Sequence, residues 1–243
     1  MIFLLIVTCD KHLKTRREGM IQCGYLPILE SLRNKGLLNF FFIKGNPHLH
    51  PYVSHRRVNE FTLEVNCKDD YESLPTKIIK SFCVIKELFN PRLLIKTDDD
   101  CCLNLFRLFG SPSLNIEPII DSLKSHHYCG TLGNYPESYK SEWNGASNRS
   151  KYIGPYMNGG MGYTLSPEAL DFICNFPNLE RILSLEIFED KLIGDLLREK
   201  FDIYATDFWK WRVAPTKDMN YINLCKSFSD CISFMGEQNQ LNE

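Results

Sequence analysis

The chain has 243 residues, 44% of them hydrophobic and 24% charged, which suffices for one sizeable core and lies near the upper size for a single one. Its 28 Lys and Arg face 30 Asp and Glu, a net charge of −2, so there is no basic excess to neutralise a phosphate backbone and nucleic acid is excluded as the expected partner. The apolar run over residues 2–7 is too short to span a bilayer and stops at Thr8-Cys9-Asp10-Lys11, so no integral membrane segment is expected.

In chain order, residues 3–7 read as a buried first strand. A Lys/Arg/Glu-rich segment follows that turns helical and ends near Asn34-Lys35-Gly36, a C-cap pattern. Residues 38–43 form a second strand, closed by Gly45-Asn46-Pro47. Residues 47–68, crowded with His48, His50, His55, Arg56 and Arg57, read as an exposed excursion. Ile78, Phe82, Ile85 and Phe89 then recur at i, i+4, i+7 and i+11, one face of a helix opened by Pro75. Leu93-Leu94-Ile95 is a compact strand that runs into Lys96-Thr97-Asp98-Asp99-Asp100.

Further on, a short helix is expected over 115–125, a strand over 128–132, and a Ser-, Asn- and Gly-rich loop with exposed aromatics over 134–152. Ser166-Pro167-Glu168 carries a Ser N-cap, Pro at the first helical position and an acid in the first turn. The last strong helix, over about 189–200, buries Leu192, Ile193, Leu196 and Leu197. This alternation argues for an α/β fold with a largely parallel sheet. The ten cysteines form no C-x-x-C motif, and several lie in apolar periodic segments, which suits a reducing compartment. A soluble cytoplasmic protein is the expectation, with the lumenal catalytic part of a truncated, anchored protein as the alternative.

Three places can carry chemistry. Asp98, Asp99 and Asp100 stand at the carboxyl end of a strand, where open α/β sheets bind ligands. Like charges so close raise one another's pKa, and a hard divalent cation, Mg²⁺ or Mn²⁺, relieves this while leaving positions for phosphate oxygens; the bland alternative is a solvated acidic turn. Gly159, Gly160 and Gly162 let backbone approach a ligand, or merely form a glycine-rich hairpin. Glu189 and Asp190 open the last helix, as bases or as ordinary first-turn acids. His48, His50, His126 and His127 lack a third metal ligand beside them. Asn148-Arg149-Ser150 matches a glycosylation acceptor by chance.

In order, these clusters resemble the inverting β1,3-glycosyltransferases of the galactosyltransferase and Fringe superfamily. Asp69, Tyr71, Leu74 and Lys77 keep the spacing of one family motif. Lys96, Asp98, Asp99, Asp100 and Asn104 match the DxD-containing block; Pro155, Tyr156, Gly159, Gly160 and the run Gly162-Tyr163-Thr164-Leu165-Ser166 match a third. Glu189, Asp190 and Gly194 match the last. The resemblance covers roughly residues 1–213. It departs where Gln22-Cys23-Gly24 replaces a tryptophan after the Arg16-Arg17 pair, where Lys191 replaces an apolar residue, and where no histidine follows His127, leaving Asp207 or donor oxygens to complete a metal site.

The resemblance implies a single GT-A-type nucleotide-sugar-binding domain over 1–228, donor-binding over about 1–110 and acceptor- and base-bearing over about 111–228, with a polar tail over 229–243. It implies Mn²⁺ or Mg²⁺ on Asp98 and Asp100 and a UDP-sugar donor such as UDP-galactose or UDP-N-acetylglucosamine. Thr8, Arg16, Arg17, Lys77, Asp98, Asp99, Gly159, Gly160 and Glu189 would bind that donor. Asp190 would be the general base. Tyr135, Tyr139, Trp143 and Tyr156 would stack on a glycan or glycoprotein acceptor. A metal-dependent phosphoryl-transfer enzyme or nuclease, or an inactive carbohydrate-binding domain, are the alternatives.

Overall fold

The computed structural model of the chain describes residues 1–105, 117–133, 156–205, 210–211, 218 and 220–223. The elements are β1 (Ile2–Val7), α1 (Asp10–Gln22), α2 (Tyr25–Asn34), β2 (Leu38–Gly45), β3 (His55–Asn59), β4 (Thr62–Val65), α3 (Leu74–Phe89), β5 (Leu93–Asp98) and β6 (Cys102–Leu103). They continue with α4 (Glu117–Ser125), β7 (Tyr128–Gly130), β8 (Leu132–Gly133), β9 (Tyr156–Met157), β10 (Tyr163–Leu165), α5 (Pro167–Cys174), α6 (Leu179–Leu183), α7 (Glu189–Arg198), β11 (Ile203–Ala205) and β12 (Lys210–Trp211).

An eight-stranded sheet in the order β11-β7-β10-β5-β1-β2-β4-β3 forms the centre. β1 pairs in parallel with β2 on one side and β5 on the other, and the antiparallel pairings involve β10 and β3. This is the mostly parallel central sheet flanked by helices that the sequence pattern calls for. All six residues of β1 are buried, because both faces of the sheet are covered. Ile2, Leu4 and Ile6 enter a core with Met20, Leu26 and Leu29 of α1 and α2. Phe3, Leu5 and Val7 enter the opposite core with Ile78, Phe82 and Ile85 of α3 and the α7 stripe Leu192, Ile193, Leu196 and Leu197.

The chain leaves β1 through α1 and α2 to reach β2, then returns through α3 to β5 on β1's other side. The order reverses between β1 and β5, and the crevice at their carboxyl ends is where such sheets bind ligands. Val7 faces Asp98 in the register, so Thr8 and Asp99 emerge side by side.

Three segments differ from the expectation. The first helical segment is two helices, broken at Gly24 with φ +87°, a left-handed conformation that glycine adopts without a Cβ penalty; α2 does end on Gly36, whose N–H donates to Arg33 O while Leu37 N–H donates to Leu32 O, the two bonds of a Schellman cap. The excursion over 47–68 contains β3 and β4, and β4 lies parallel to β2 in the main sheet. The strand over 128–132 splits at Thr131 into β7 and β8, which belong to different sheets.

Ser166 caps α5 as expected, accepting the Ala169 N–H at 3.1 Å, with Pro167 in the first turn. Among the described residues no helix is long and apolar enough to cross a membrane, and no cysteine is in a disulfide. The loop over 134–152 and the tail over 229–243 lie outside the described residues.

Candidate active site

At the β1 and β5 carboxyl ends a cleft of about 350 Å³ is lined by Thr8, Arg16, Lys77 and the Asp98, Asp99, Asp100 triplet, with His12, Asp69 and Tyr71 among its other walls. Thr8 follows β1 directly and Asp99 follows β5, so their side chains meet: the Thr8 hydroxyl donates to Asp99 Oδ2 at 2.7 Å. Arg16 Nε stands 4.0 Å from the other Asp99 oxygen. Burial, with the charges of Asp98 and Asp100 adding to it, nonetheless holds the Asp99 carboxyl above its ordinary pKa, against Thr8 and Arg16.

Beneath the cleft, Asp69 ties three segments together. Its Oδ1 accepts the Gly45 N–H at 2.8 Å and pairs with Lys77 Nζ at 2.6 Å, while Oδ2 accepts the Asp10 N–H at 2.8 Å. Lys77 Nζ also donates to the Thr8 carbonyl at 3.0 Å. The Asp69-to-Lys77 spacing thus fixes the end of β2, the start of α1 and the mouth of the cleft relative to α3.

The second constellation lies next to the cleft and centres on Lys96, which is 1% exposed. Residues 94, 96 and 98 share one face of β5, and Lys96 sits opposite Tyr163 of β10 in the register. The Lys96 ammonium donates to Asp98 Oδ1 at 2.8 Å, to the Gly159 carbonyl at 2.9 Å and to Glu189 Oε2 at 3.3 Å. The Tyr163 hydroxyl donates to the other Glu189 oxygen. On the far side of the same turn, the Gly159 N–H donates to Asp190 Oδ2 at 3.3 Å, and Asp190 Oδ1 accepts the Lys191 N–H at 2.9 Å. A Cβ on Gly159 would press on Glu189 Oε2 and lie 3.1 Å from Asp190 Cβ and 3.2 Å from Lys96 Nζ, so this close approach needs glycine.

One ammonium here serves several carboxylates. Burial works against its charge, but Asp98 and Glu189 outweigh that and hold the Lys96 pKa above its ordinary value. Glu189 is pushed from 4.5 to about 7 by burial, Lys96 opposing and the Asp190 and Asp98 charges adding. Asp190 is raised too, by burial above all, against the Gly159 N–H and Lys96.

A folded-state pKa above the unfolded one stabilises the protein below the unfolded value, and that stability is lost as pH rises through the folded value. The wild-type melting temperature should therefore fall from about pH 4.5 to about pH 7 more steeply than that of Glu189→Gln. Parallel melting curves for the two proteins would remove Glu189 as the source.

Of the expected site residues, Thr8, Arg16, Lys77, Asp98, Asp99 and Asp100 meet at the cleft, and Gly159, Glu189 and Asp190 meet around Lys96. Asp98 belongs to both groups, and Gly160 is tied to the triplet's end, its carbonyl accepting from the Cys101 thiol. Glu189 is 3% exposed and turned inward onto Lys96 and Tyr163, so its carboxylate serves the interior rather than the cleft wall. Arg17 lies over the Phe61 ring at 5.5 Å and does not line the cleft; adjacent helix positions point about 100° apart. Tyr156 is 0% exposed, with its ring against Gly133, a core placement rather than an open stacking surface. Tyr135, Tyr139, Trp143 and Asp207 lie outside the described residues.

Lys96, Tyr163 and Asp69 are structural centres that the sequence supplied only as motif matches, without a role. The available signal was a lysine ending an otherwise apolar run, Leu93-Leu94-Ile95-Lys96. Among the described residues no group of three or more His, Cys, Asp or Glu is arranged to hold a metal ion.

The cleft lies at the sheet's switch point, is walled by clustered carboxylates, and is joined through Lys96 and Gly159 to a helix that opens with two acids. The galactosyltransferase family model matches residues 52–208, more than half of the chain, which takes in Asp69, Lys77, the Asp98–Asp100 triplet and the Lys96 constellation, while Thr8 and Arg16 lie before it. The chain belongs to the galactosyltransferase family and is a glycosyltransferase.

Curated protein sequences give no match. Among solved structures, a Bacillus anthracis protein assigned as a glucose-1-phosphate thymidylyltransferase, in complex with sucrose, aligns at TM-score 0.43 and 11% identity, over 87% of this chain and 88% of that one. The galactosyltransferase LgtC, with donor and acceptor sugar analogues, aligns at 0.41 and 10%, over 85% and 73%. HddC of Yersinia pseudotuberculosis aligns at 0.40 and 15%, over 94% and 100%.

Proposed function

We propose that the protein is a metal-dependent inverting glycosyltransferase that moves a sugar from a UDP-sugar, such as UDP-galactose or UDP-N-acetylglucosamine, to a glycan or glycoprotein hydroxyl in β1,3 linkage. The observation that carries the reading is the link from the cleft carboxylates to Asp190 through Lys96 and Gly159. A phosphodiesterase would leave Asp190 without a role.

In this reading Thr8, Arg16 and Asp99 hold the nucleotide, and the Gly159-Gly160 backbone lies against the sugar. Asp98 and Asp100 would hold Mn²⁺ or Mg²⁺, which neutralises charge on the diphosphate leaving group. Asp190 accepts the proton of the acceptor hydroxyl as that oxygen attacks the anomeric carbon in line; the bond to the diphosphate oxygen breaks in the same step, and configuration inverts. Tyr135 and Trp143 are proposed to stack on the acceptor.

A screen of nucleotide sugars with Mn²⁺ and oligosaccharide acceptors, reading both nucleoside diphosphate release and the glycosylated product, tests the function. Hydrolysis of phosphodiesters without sugar transfer would overturn it. Metal dependence has its own expected result: in calorimetric titration, UDP binds more tightly with Mn²⁺ than in metal-free protein, and Asp100→Ala loses that gain. Equal affinity with and without the ion would remove the metal from the site.

A further inference from the structure

We propose that Lys96 is a positioning residue for sugar transfer, its ammonium holding the donor carboxylate Asp98, the Gly159 turn and the base-bearing start of α7 in one fixed arrangement. The inference rests on the glycosyl-transfer reading above and adds to it the part that fixes the base relative to the donor.

An ammonium has three N–H donors and no acceptor, and Lys96 finds three acceptors at 2.8, 2.9 and 3.3 Å. They come from three segments far apart in sequence: the end of β5, the turn before β10 and the first residue of α7. Gly159 is gripped through both of its flanking peptide groups, its carbonyl by Lys96 and its N–H by Asp190. Any shift of the ammonium is therefore passed through Gly159 to the N–H that holds the base. Tyr163, across the ladder from Lys96, secures the other Glu189 oxygen, so α7 is pinned to β5 and β10 together.

Packing alone does not call for a lysine here. Burying an ion pair costs desolvation that a well-packed apolar pair avoids, and replacing both charges is often neutral for stability, whereas removing one is costly. An aliphatic side chain at 96 with a neutral one at 189 would satisfy the core but would leave Asp98 and the Gly159 carbonyl without their shared donor. Position, rather than stability, is what the charge supplies.

The test uses full-length Lys96→Met and the double variant Lys96→Met/Glu189→Gln, with melting temperature, UDP affinity in Mn²⁺, and kcat and KM for the acceptor measured on each. The single variant strands a buried Glu189 carboxylate and should melt about 6–20 °C lower. The double variant should melt within about 5 °C of wild type and bind UDP within about threefold. Its kcat should nevertheless fall by about 100-fold, the scale of an ångström-sized misplacement of reacting groups.

A double variant with restored melting temperature and kcat within tenfold of wild type overturns the inference, since Lys96 would then only balance Glu189. If the double variant does not fold, Lys96→Gln, which keeps an amide donor, reads the same split: lowered kcat with unchanged UDP affinity supports positioning, and unchanged kcat overturns it. Absence of transfer by the wild type with every donor overturns the glycosyl-transfer reading and this inference with it, whereas wild-type transfer matched by the variants overturns the inference alone.

Discussion

Asp190→Asn should lower the transfer rate by about 10²- to 10⁴-fold, the usual contribution of a general base, while UDP affinity stays within about twofold of wild type. Asn keeps the size of the side chain and one oxygen acceptor for the Gly159 or Lys191 N–H, so the turn and the start of α7 are retained. What it loses is the capacity to take a proton. Glu189→Gln provides the contrast, because Glu189 is buried against Lys96 and Tyr163: the Gln oxygen can still accept from Lys96, while its NH2 group can donate to the Tyr163 hydroxyl oxygen. Its effect should appear in the pH dependence of melting, with a smaller loss of turnover. Were both acids only first-turn dipole partners, Asp190→Asn would cost about 0.5–2 kcal/mol of stability and leave turnover near normal. Transfer rate, UDP affinity and melting temperature measured on the same two variants separate these outcomes, and normal turnover in Asp190→Asn removes Asp190 as the base.

The parts of this arrangement that were legible in the sequence are those governed by local pattern. β1 and β5 announce themselves as apolar runs because parallel strands are covered on both faces. The α3 face follows from helical spacing, and the Ser166-Pro167-Glu168 start of α5 from capping chemistry. The cleft residues Asp98 and Asp99 follow from where ligands sit in open α/β sheets, and Thr8 follows from the family resemblance.

The illegible parts depend on long-range pairing. β4 is four residues long, and its Glu64 is buried, 3% exposed, with Lys44 and Arg56 reaching it from β2 and β3 and the Asn46 amide donating to it; a charge in the middle hides the strand. The inward turn of Glu189 depends on a lysine 93 positions earlier. Arg17 differs from Arg16 by one helical step, and only the location of Phe61 shows which of the pair faces the cleft. Lys191, an oddity against the family pattern, is explained by Glu186 at 3.1 Å and Asp195 at 2.5 Å: Glu186 in turn accepts the Ile187 and Phe188 N–H groups, so the lysine steadies the turn that leads into α7.

Asp69→Ala should be the most destabilising single change at the cleft, by about 3–5 kcal/mol, because it strands the Lys77 ammonium in the interior. Lys77 is 3% exposed, and Asp69 is its carboxylate partner at 2.6 Å; the Thr8 carbonyl at 3.0 Å satisfies a hydrogen bond but does not offset the charge. The same substitution removes the acceptor for the Gly45 and Asp10 N–H groups, so the end of β2 and the start of α1 lose their common anchor. For a chain of this length the loss corresponds to a melting temperature lower by about 6–20 °C. UDP affinity should fall with it, since Thr8 and Arg16 stand on the two sides of the released segment. The double variant Asp69→Ala/Lys77→Met decides the cause: removing both charges leaves no buried ion, so its stability loss should be smaller than the sum of the two single losses by about 0.5–3 kcal/mol. Additive losses would mean that the ion pair is not what holds the cleft, and that Asp69 acts only as an acceptor for the two backbone N–H groups.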